Sequence, residues 1–237
     1  MCKMIYSRIE QATFLSRPNR FIAHVEVDGR EEIAHVKNTG RCLELLVPGC
    51  TVYLAIPDNP TRKTKYDLVA VVKRRADGTV LLINMDSQAP NAMAAEWILQ
   101  SGRLSPTASL RREVTYGDSR LDLCIEDGCK KCFVEVKGVT LEENGVALFP
   151  DAPTERGIKH LRELMGAVDS GYEAAVLFVI QMKGVREFRP NRRTHAAFAD
   201  ALCEAAAHGV QIWAYDSIVT PEGAVIDQPI PVVLDED

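Results

Sequence analysis

The sequence lacks an apolar run long enough to cross a membrane, and its N-terminal segment lacks the apolar core of a secretory signal. A membrane helix needs about 18 consecutive apolar residues. A signal peptide needs an apolar stretch behind basic residues, which residues 1–20 do not contain. The 237 residues are 46% hydrophobic and 26% charged, a balance typical of folded chains rather than disordered ones. We therefore expect a cytoplasmic protein without a membrane partner.

The chain also lacks the repeated cysteine motifs of a structural zinc site or a disulfide framework. It has seven cysteines, an odd number, and in a cytoplasmic protein these are expected to be reduced thiols. Cys129 and Cys132 form a C-x-x-C motif, but a structural zinc site usually has four ligands and the sequence has no second such pair. Incidental cysteines beside a turn are the simpler interpretation. A thiol-redox or metal-storage role is the least favoured of three functional hypotheses.

A strong net charge of either sign is absent as well. The formal net charge is −5, which alone argues against a nucleic-acid partner. The charge is uneven, however, because residues 1–86 carry 13 Lys and Arg against 10 Asp and Glu, whereas residues 87–237 carry 15 against 23. The basic first part is a weak indication of a phosphate-contacting surface. The acidic remainder suits cation binding as well as a solvated surface.

Residues 1–86 are dominated by short runs of β-branched and aromatic residues, which are typical of strands. Asp28-Gly29 is a two-residue hairpin signal between the first two runs. The runs predict strands at residues 20–27, 32–36, 50–56, 66–72 and 80–84. Short strands at this spacing predict a small OB-like β-barrel.

The pattern changes near residue 87, where runs of helix formers begin to alternate with strands. This order predicts an α/β domain with a mixed sheet over residues 87–237, and so an α+β protein of two domains. The predicted helices are 92–100, 154–170 and 195–208, and the predicted strands are 111–116, 121–125, 133–136, 174–181 and 210–215. Asn91 and Thr154 are the predicted N-caps of the first two helices.

Three charged residues lie on two of these strands, next to a predicted hairpin turn. Alternation along the strands points Asp122 away from Leu121 and Leu123, and it places Glu135 and Lys137 on one face. A two-residue turn makes Glu135 the diagonal neighbour of Asp122, whereas a four-residue turn places them directly opposite. Either register brings their Cβ atoms within roughly 5–8 Å, so we expect the two carboxylates to share a cation.

This triplet predicts metal-dependent phosphodiester hydrolysis. Two like charges this close repel each other unless a cation lies between them, and a few carboxylate ligands suit Mg²⁺ or Mn²⁺. The ion would polarise a phosphate oxygen and lower the pKa of water, while Lys137 orients that water or neutralises charge in the transition state. Solvated surface charge is the simpler interpretation of an acid-x-Lys motif alone, but the hairpin geometry favours the catalytic one.

Further residues are candidates for the same site or for nucleic-acid contacts. Glu113 is a candidate third metal ligand, with a salt bridge to Arg111 or Arg120 as the equal alternative. Asp151 is a candidate either for capping the second predicted helix or for the metal site, and Gln181, at the end of a buried strand, is a further polar candidate. The candidate nucleic-acid contacts, on the second predicted helix and in the barrel, are Arg156, Lys159, His160, Arg17, Arg20, Arg41, Arg62 and Lys63. A solvated basic face is the simpler interpretation of the helix residues.

Several segments taken together resemble the sugar fermentation stimulation protein A family along nearly the whole chain. They are Arg17-Pro18-Asn19-Arg20-Phe21, Asn38-Thr39-Gly40-Arg41, Leu45–Gly49, Arg62–Tyr66, Pro90-Asn91, Ser119–Asp122, Val134–Gly138 and Phe149–Gly157. The resemblance implies an OB-like domain, a nuclease-like domain of the PD-(D/E)xK type, DNA binding, and a regulatory role in sugar metabolism, maltose in particular. It also implies that the acidic and lysine positions of the family are Asp122, Glu135 and Lys137.

The chain departs from the family pattern at His195, where the family usually has an Asp before the last helix, so Thr194 becomes a candidate cap. Two functions remain open. One is a Mg²⁺- or Mn²⁺-dependent nuclease acting on DNA or RNA. The other is a nucleic-acid-binding regulator that keeps the nuclease fold without cutting. The sequence leaves the oligomeric state open, a homodimer included.

Overall fold

The first part of the chain closes into a barrel. The structure, a computed structural model, describes residues 4–38, 40–59, 61–102 and 104–234. A short strand, β1 (Met4–Ile5), precedes the barrel strands, which are β2 (Ile9–Asn19), β3 (Ile22–Val27), β4 (Arg30–Val36), β5 (Thr51–Ala55) and β6 (Tyr66–Arg74). Neighbouring strands pair antiparallel in the order β4-β3-β2-β5-β6, and a parallel pairing of β4 with β6 closes the barrel. The predicted OB-type barrel is thus confirmed.

The strands that build the barrel differ from the predicted ones in two places. The long strand β2 was not predicted, because it carries polar residues and ends on Pro18-Asn19, a combination typical of a loop. The predicted strand at residues 80–84 exists as β7 (Val80–Asn84), but it pairs with β6 as an added hairpin strand and takes no part in the closure. Irregular register between β2 and β3 explains why local alternation is weak there.

The rest of the chain forms a mixed sheet with helices on both faces, as predicted. Its main sheet has the order β1-β16-β15-β13-β10-β9-β8, in which β13 runs parallel to both β10 and β15. A small second sheet contains β11, β12 and β14. In chain order the elements are α1 (Ala89–Gln100), β8 (Ser109–Tyr116), β9 (Ser119–Asp127), β10 (Lys130–Val139), β11 (Leu141–Glu143), β12 (Val146–Phe149), α2 (Glu155–Asp169), β13 (Glu173–Ile180), β14 (Glu187–Pro190), α3 (Arg192–Ala207), β15 (Gln211–Thr220) and β16 (Gly223–Pro229).

The central strand β13 shows why this part folds as a layered sheet. Val176 and Phe178 belong to a core shared with α2, α3 and the barrel, whereas Ala175 and Leu177 pack with α1. Successive strand residues point to opposite faces, so a strand covered on both faces must be apolar throughout. Across the four described ranges, no helix is long and apolar enough to span a membrane.

The short strands β1, β11, β12, β14 and β16 were not predicted. β1 and β14 pair with strands distant in the sequence, whereas β11–β12 and β15–β16 are local pairings. The shortest of these strands carry too few residues for alternation to show. β1 pairs with β16, Met4 opposite Ala224. The first residues of the range predicted for the barrel therefore belong to the other sheet.

A buried polar junction holds the barrel against the second domain. The Asp86 carboxylate is fully buried, and Lys37 Nζ, just after β4, donates to its Oδ2 over 2.5 Å. Tyr6 Oη donates to the same oxygen over 3.3 Å, and the Gln88 amide donates to Oδ1 over 2.9 Å. A buried carboxylate that lost these donors would be strongly destabilising, so the segment between β7 and α1 is fixed.

A second ion-pair cluster joins the far end of β6 to the small sheet. Glu142 on β11 is 1% exposed. Lys73 Nζ lies 2.7 Å from its Oε2, and Arg75 Nε lies 3.0 Å from its Oε1. The Gly145 amide donates to Oε1 over 2.6 Å. Two separate charged contacts therefore hold the domains in one relative orientation.

Lys37→Met is expected to lower the free energy of unfolding by at least about 2 kcal/mol, because it leaves the buried Asp86 carboxylate without its cation. Tyr6 and Gln88 still donate to that carboxylate, which keeps the loss moderate. Arg8→Met is the matched control, since Arg8 pairs with Asp58 on the surface and such pairs contribute about 0–1 kcal/mol. Urea denaturation measures both variants. Equal losses for the two would contradict the structural importance of the junction.

Candidate nuclease-type site

Asp122 and Glu135 lie opposite each other on β9 and β10. The observed pairs run from Asp127 with Lys130 to Leu123 with Val134, and the next position in that register pairs Asp122 with Glu135. This is the register that the longer of the two predicted turns gives. The Val136 amide donates to Asp122 Oδ2 over 2.8 Å. The Asp122 carboxylate therefore accepts a backbone hydrogen bond at the point where the pairing of β9 and β10 ends. The two side chains, here called the carboxylate pair, meet where the two strands stop pairing.

Asp122 is held on both of its oxygens. In addition to the Val136 amide on Oδ2, Asn91 Nδ2 donates to Oδ1 over 2.8 Å. Burial raises the pKa of Asp122, the negative charge of Glu135 raises it further, and the two hydrogen bonds only partly oppose this. A cation beside the pair would relieve the charge repulsion.

Glu135 is more deeply buried, at 2% exposure, and only one of its oxygens is satisfied. Lys137 Nζ donates to Oε1 over 2.6 Å, and His160 Nδ1 is bonded to the same oxygen. Burial raises the pKa of Glu135, but the hydrogen bond to His160 and the charge of Lys137 outweigh it, so the net pKa is lowered. Oε2 is buried and has no hydrogen-bond partner among the described residues. Buried polar atoms are rarely left this way.

His160 orients Glu135 and does not face solvent. Its side chain is buried, and Arg156 Nε donates to its Nε2 over 3.2 Å. Because a guanidinium only donates, Nε2 must accept, which puts the proton of the neutral ring on Nδ1, facing Glu135. The predicted phosphate contact at His160 is therefore replaced by a positioning contact. Arg156 and Lys159 are exposed, and Lys159 Nζ donates to the Asp118 carbonyl over 2.9 Å.

The donor set fits a small hard cation. Two carboxylates, one with an unpaired buried oxygen, are what Mg²⁺ needs from a protein, because this ion keeps several waters and takes substrate oxygens as well. No group of three or more His, Cys, Asp or Glu side chains suited to a metal occurs within the described ranges. Glu113 is not brought to the pair: its side chain is exposed, its φ is +56°, and its Oε2 lies 3.6 Å from Arg120. The salt-bridge alternative for Glu113 is the one observed.

Gln181 lies against Gly138, the residue after Lys137, whereas Asp151 lies against Gly40 of the barrel. A Cβ on Gly138 would lie 2.6 Å from Gln181 Oε1 and 2.7 Å from Pro90 Cγ, so only glycine fits there. Gln181, Asp151 and Gly138 line one cavity of about 100 Å³. Desolvation raises the pKa of Asp151. The two polar candidates are thus neighbours of the site without belonging to the carboxylate pair.

The predicted basic contacts of the barrel fall into two groups. Arg17 donates to the backbone carbonyls of Asn38, Gly40 and Arg41 over 2.6–2.9 Å, and Arg62 forms a two-pronged pair with Asp67. Both guanidinium groups are therefore engaged within the barrel. In contrast, Arg20, Arg41 and Lys63 are exposed, which leaves them as the phosphate candidates.

Asn91 is the site residue that sequence reasoning missed. It was predicted to cap the first helix, but α1 begins at Ala89 with Gln88 at the N-cap position, and Asn91 lies in the first turn. Its side chain is then directed to Asp122. The sequence signal for the earlier helix start was Pro90. Proline is favoured in the first turn of a helix, so it places the start of α1 before Asn91.

His195 joins the starts of two helices. Thr154 caps α2 as predicted, since its side chain accepts from the Gly157 amide over 3.0 Å. The Thr154 amide in turn donates to His195 Nδ1 over 3.2 Å. Asn191 caps the first turn of α3 by accepting from the Thr194 amide, and α3 is kinked at His195, whose φ of −155° and ψ of 85° are not helical. The Thr194 hydroxyl accepts from Asn191 Nδ2. His195 thus supports the α2 N-terminus, whose second turn carries His160.

The C-x-x-C pair has no feature of a reactive or metal-binding site. Cys132 is buried in the core with α1, and burial raises its pKa to about 12. Cys129 is exposed at the hairpin turn, and both are free thiols. A thiol this hard to ionise is a poor nucleophile and a poor ligand, which supports the incidental interpretation.

Comparisons with known proteins agree with this architecture. The family model described as the sugar fermentation stimulation protein RE domain matches residues 88–223, and the model described as the SfsA N-terminal OB domain matches residues 15–83. Sugar fermentation stimulation protein homologs from Desulfitobacterium hafniense and Clostridium beijerinckii are 58% and 51% identical, over 92% and 98% of this chain and 93% and 100% of their own lengths. The solved structure of Pyrococcus furiosus SfsA in complex with Ca²⁺ has a TM-score of 0.83 at 28% identity, covering 98% of this chain and all of that one. The chain therefore belongs to the sugar fermentation stimulation protein (SfsA) family.

Proposed function

We propose that this chain is a divalent-metal-dependent nuclease, with Asp122, Glu135 and Lys137 as its catalytic group. The observation that carries the proposal is the buried Glu135 Oε2, which has no hydrogen-bond partner among the described residues and belongs to a pair of opposed carboxylates. A structural salt bridge would leave no such oxygen, because buried charges are normally fully bonded. A cation is the partner that would satisfy both carboxylates at once.

Asp122 and Glu135 would hold the ion, for which we propose Mg²⁺ or Mn²⁺. When bound, the ion would act as a Lewis acid on the phosphodiester and on the attacking water. The Pyrococcus furiosus relative was solved in complex with Ca²⁺, a cation that also takes oxygen ligands. That relative supports a cation site in the family fold.

The remaining residues of the site act by position and charge. Lys137 places an ammonium group beside Glu135, where it can orient water or neutralise the negative charge that develops on phosphate in the transition state. Asn91 and the Val136 amide fix Asp122, and His160 fixes Glu135. A site in which each acid is oriented in advance needs little reorganisation during the reaction.

The barrel supplies the surface for the nucleic acid. Arg20 and Arg41 are exposed on either side of Arg17, which bonds the backbone of both. Phe21, half exposed, lies beside the Arg20 guanidinium, 5.8 Å from ring centroid to Cζ. Exposed cations beside an aromatic ring are how OB barrels hold phosphates and stack bases.

Asp122→Asn and Glu135→Gln should each reduce cleavage by at least about a hundredfold, because each removes one of the two charges that hold the cation. The measurement is the initial rate on labelled single- and double-stranded DNA and RNA with Mg²⁺ or Mn²⁺. Glu126→Gln is the matched control. It also removes one carboxylate from β9, but Glu126 pairs with Arg111 and Lys131 outside the site, so its rate should equal that of the wild type.

Two results would count against a nuclease. One is wild-type protein that cleaves none of the four substrates with either ion. The other is Asp122→Asn protein that cleaves as fast as the control. Nucleic-acid binding without cleavage would instead favour a regulator that keeps the nuclease fold, which the family's name, sugar fermentation stimulation, would suit.

His160→Asn should retain most of the activity, whereas His160→Gln should lose roughly tenfold or more in kcat. An Asn amide nitrogen can take the position of Nδ1, the atom that donates to Glu135, whereas a Gln amide reaches the position of Nε2. KM for the nucleic acid should be unchanged in both variants, because His160 is buried and acts through Glu135. Equal losses in the two variants, or a loss confined to KM, would contradict the positioning role.

The double variant Arg20→Ala/Arg41→Ala should weaken nucleic-acid binding and lower the slope of log affinity against log salt by about two, one for each lost phosphate contact. Fluorescence anisotropy in EDTA measures binding without cleavage. Lys130→Ala removes an exposed cation from the far hairpin, where Lys130 lies 3.7 Å from Glu173, and should change neither value. An unchanged slope in the double variant would remove the barrel from the binding surface.

A further inference from the structure

A small cavity lies where the barrel, the segment before α1 and the second domain meet. Its volume is about 100 Å³. Asn38 of the barrel, Ser87 before α1, and Gly138, Phe149, Asp151 and Gln181 of the second domain line it. We call it the junction cavity. Both domains contribute walls, so it exists only in the relative orientation that the buried Asp86 and Glu142 contacts maintain.

The junction cavity reaches β10 at Gly138, three residues beyond Glu135, and neither acid of the carboxylate pair lines it. Gly138 follows Lys137 on β10, and a Cβ at Gly138 would touch Pro90, the neighbour of Asn91, which bonds Asp122. The cavity is therefore connected to the carboxylate pair through β10 and through the contact between Gly138 and Pro90. This position suits the base or sugar of a nucleotide beside the phosphate that is cut.

Gln181 presents an acceptor to the cavity. Its Nε2 donates to Asn84 Oδ1 over 2.9 Å and to the carbonyls of Asn84 and Asp86 over 3.0 and 3.1 Å. Three acceptors around the nitrogen fix the amide orientation, since the opposite orientation would set oxygen against oxygen. Oε1 must then point the other way, toward Gly138, where a Cβ would lie 2.6 Å from it.

Asp151 presents a second set of acceptors from the other wall. A Cβ added at Gly40 of the barrel would collide with Asp151 Oδ2. It would also lie 2.9 Å from Asn38 Oδ1. Asn38 Oδ1 itself accepts from the Gly40 amide over 2.8 Å. The cavity is thus lined by oxygen acceptors on two sides, and a phosphate would be repelled by Asp151.

The barrel loop that carries Gly40 has a basic hollow on its other side. That hollow has a volume of about 350 Å³ and is lined by Arg17, Arg20, Gly40, Arg41 and Ala152. Cations on one side and acceptors on the other suit a strand whose phosphates run along the barrel while a base turns inward. Ala152 follows Asp151, so the two compartments share a wall.

We propose that the junction cavity receives the amino-bearing edge of one unpaired nucleobase, and that the substrate is therefore single-stranded or locally opened. The inference rests on the proposed nuclease function and adds the substrate class. An amino group of cytosine, adenine or guanine donates to Gln181 Oε1 and Asp151, whereas the carbonyl at the same place in uracil or thymine has no proton to give. A cavity of 150 Å³ holds benzene, so the smaller junction cavity admits the edge of a base and not a whole nucleotide. In a duplex that edge is already paired.

The test compares two oligonucleotides that differ at this edge alone. Fluorescein-labelled oligo(dC) and oligo(dU) of equal length are titrated with the full chain in EDTA, and anisotropy gives both dissociation constants. The wild type should bind oligo(dC) about tenfold tighter than oligo(dU), the effect of one good base contact. Asp151→Ala should bring this ratio to about one by weakening oligo(dC) alone. Glu155→Ala, an exposed acid four residues further on, should keep the wild-type ratio.

The ratio is measured within one protein, and circular dichroism checks that Asp151→Ala is folded before its ratio is compared with that of the wild type. A wild-type ratio near one, a ratio that Asp151→Ala leaves intact, or absence of binding to both strands would each overturn the proposal. Cleavage without base preference would overturn the cavity assignment and leave the nuclease standing. Base preference that depends on Asp151, without cleavage in Mg²⁺ or Mn²⁺, would overturn the nuclease and leave the cavity assignment standing.

Discussion

The buried carboxylate of Glu135 is the constraint on which the rest of this site depends. Burial disfavours the charged form of Glu135. Lys137 and His160 stabilise that charge by bonding to Oε1, whereas Oε2 has no partner among the described residues. Asp122 lies across the ladder and is held on both oxygens. Every neighbour therefore fixes these two acids in place, and none of the described neighbours satisfies the last oxygen. That combination is the basis for the proposed cation site.

The position of the barrel follows from a second set of buried charges. Asp86 and Glu142 are almost fully buried and are bonded by Lys37, Lys73 and Arg75 of the barrel. Breaking either contact would leave a buried carboxylate without its cation, so the domains have one stable arrangement. This arrangement places Gly40, the barrel residue before Arg41, against Asp151 of the second domain. It also creates the junction cavity between them.

The sequence predicted what short-range patterns control and missed what distant partners control. The predicted hairpin brought both acids together, although Leu121 and Leu123, predicted on one face, pack in different cores. Thr154 correctly marked the start of α2. The long strand β2 was missed because Pro18-Asn19 mimics a loop, and β1 was missed because its partner β16 lies at the other end of the chain. Asn91 was predicted as a helix cap and His160 as a nucleic-acid contact, and Gln181 was named without a role. Their contacts with Asp122, Glu135 and Asn84 cross between elements, and no local pattern encodes such contacts.

The central claim is that Asp122 and Glu135 share a cation, and a crystal of the wild-type protein soaked in millimolar Mn²⁺ tests it most directly. Anomalous scattering locates manganese independently of any activity. The account predicts an anomalous peak bonded to Glu135 Oε2 and to an Asp122 oxygen, with the His160 contact to Oε1 retained. A site without anomalous signal, in which Oε2 is bonded to a protein donor or to water alone, would contradict it.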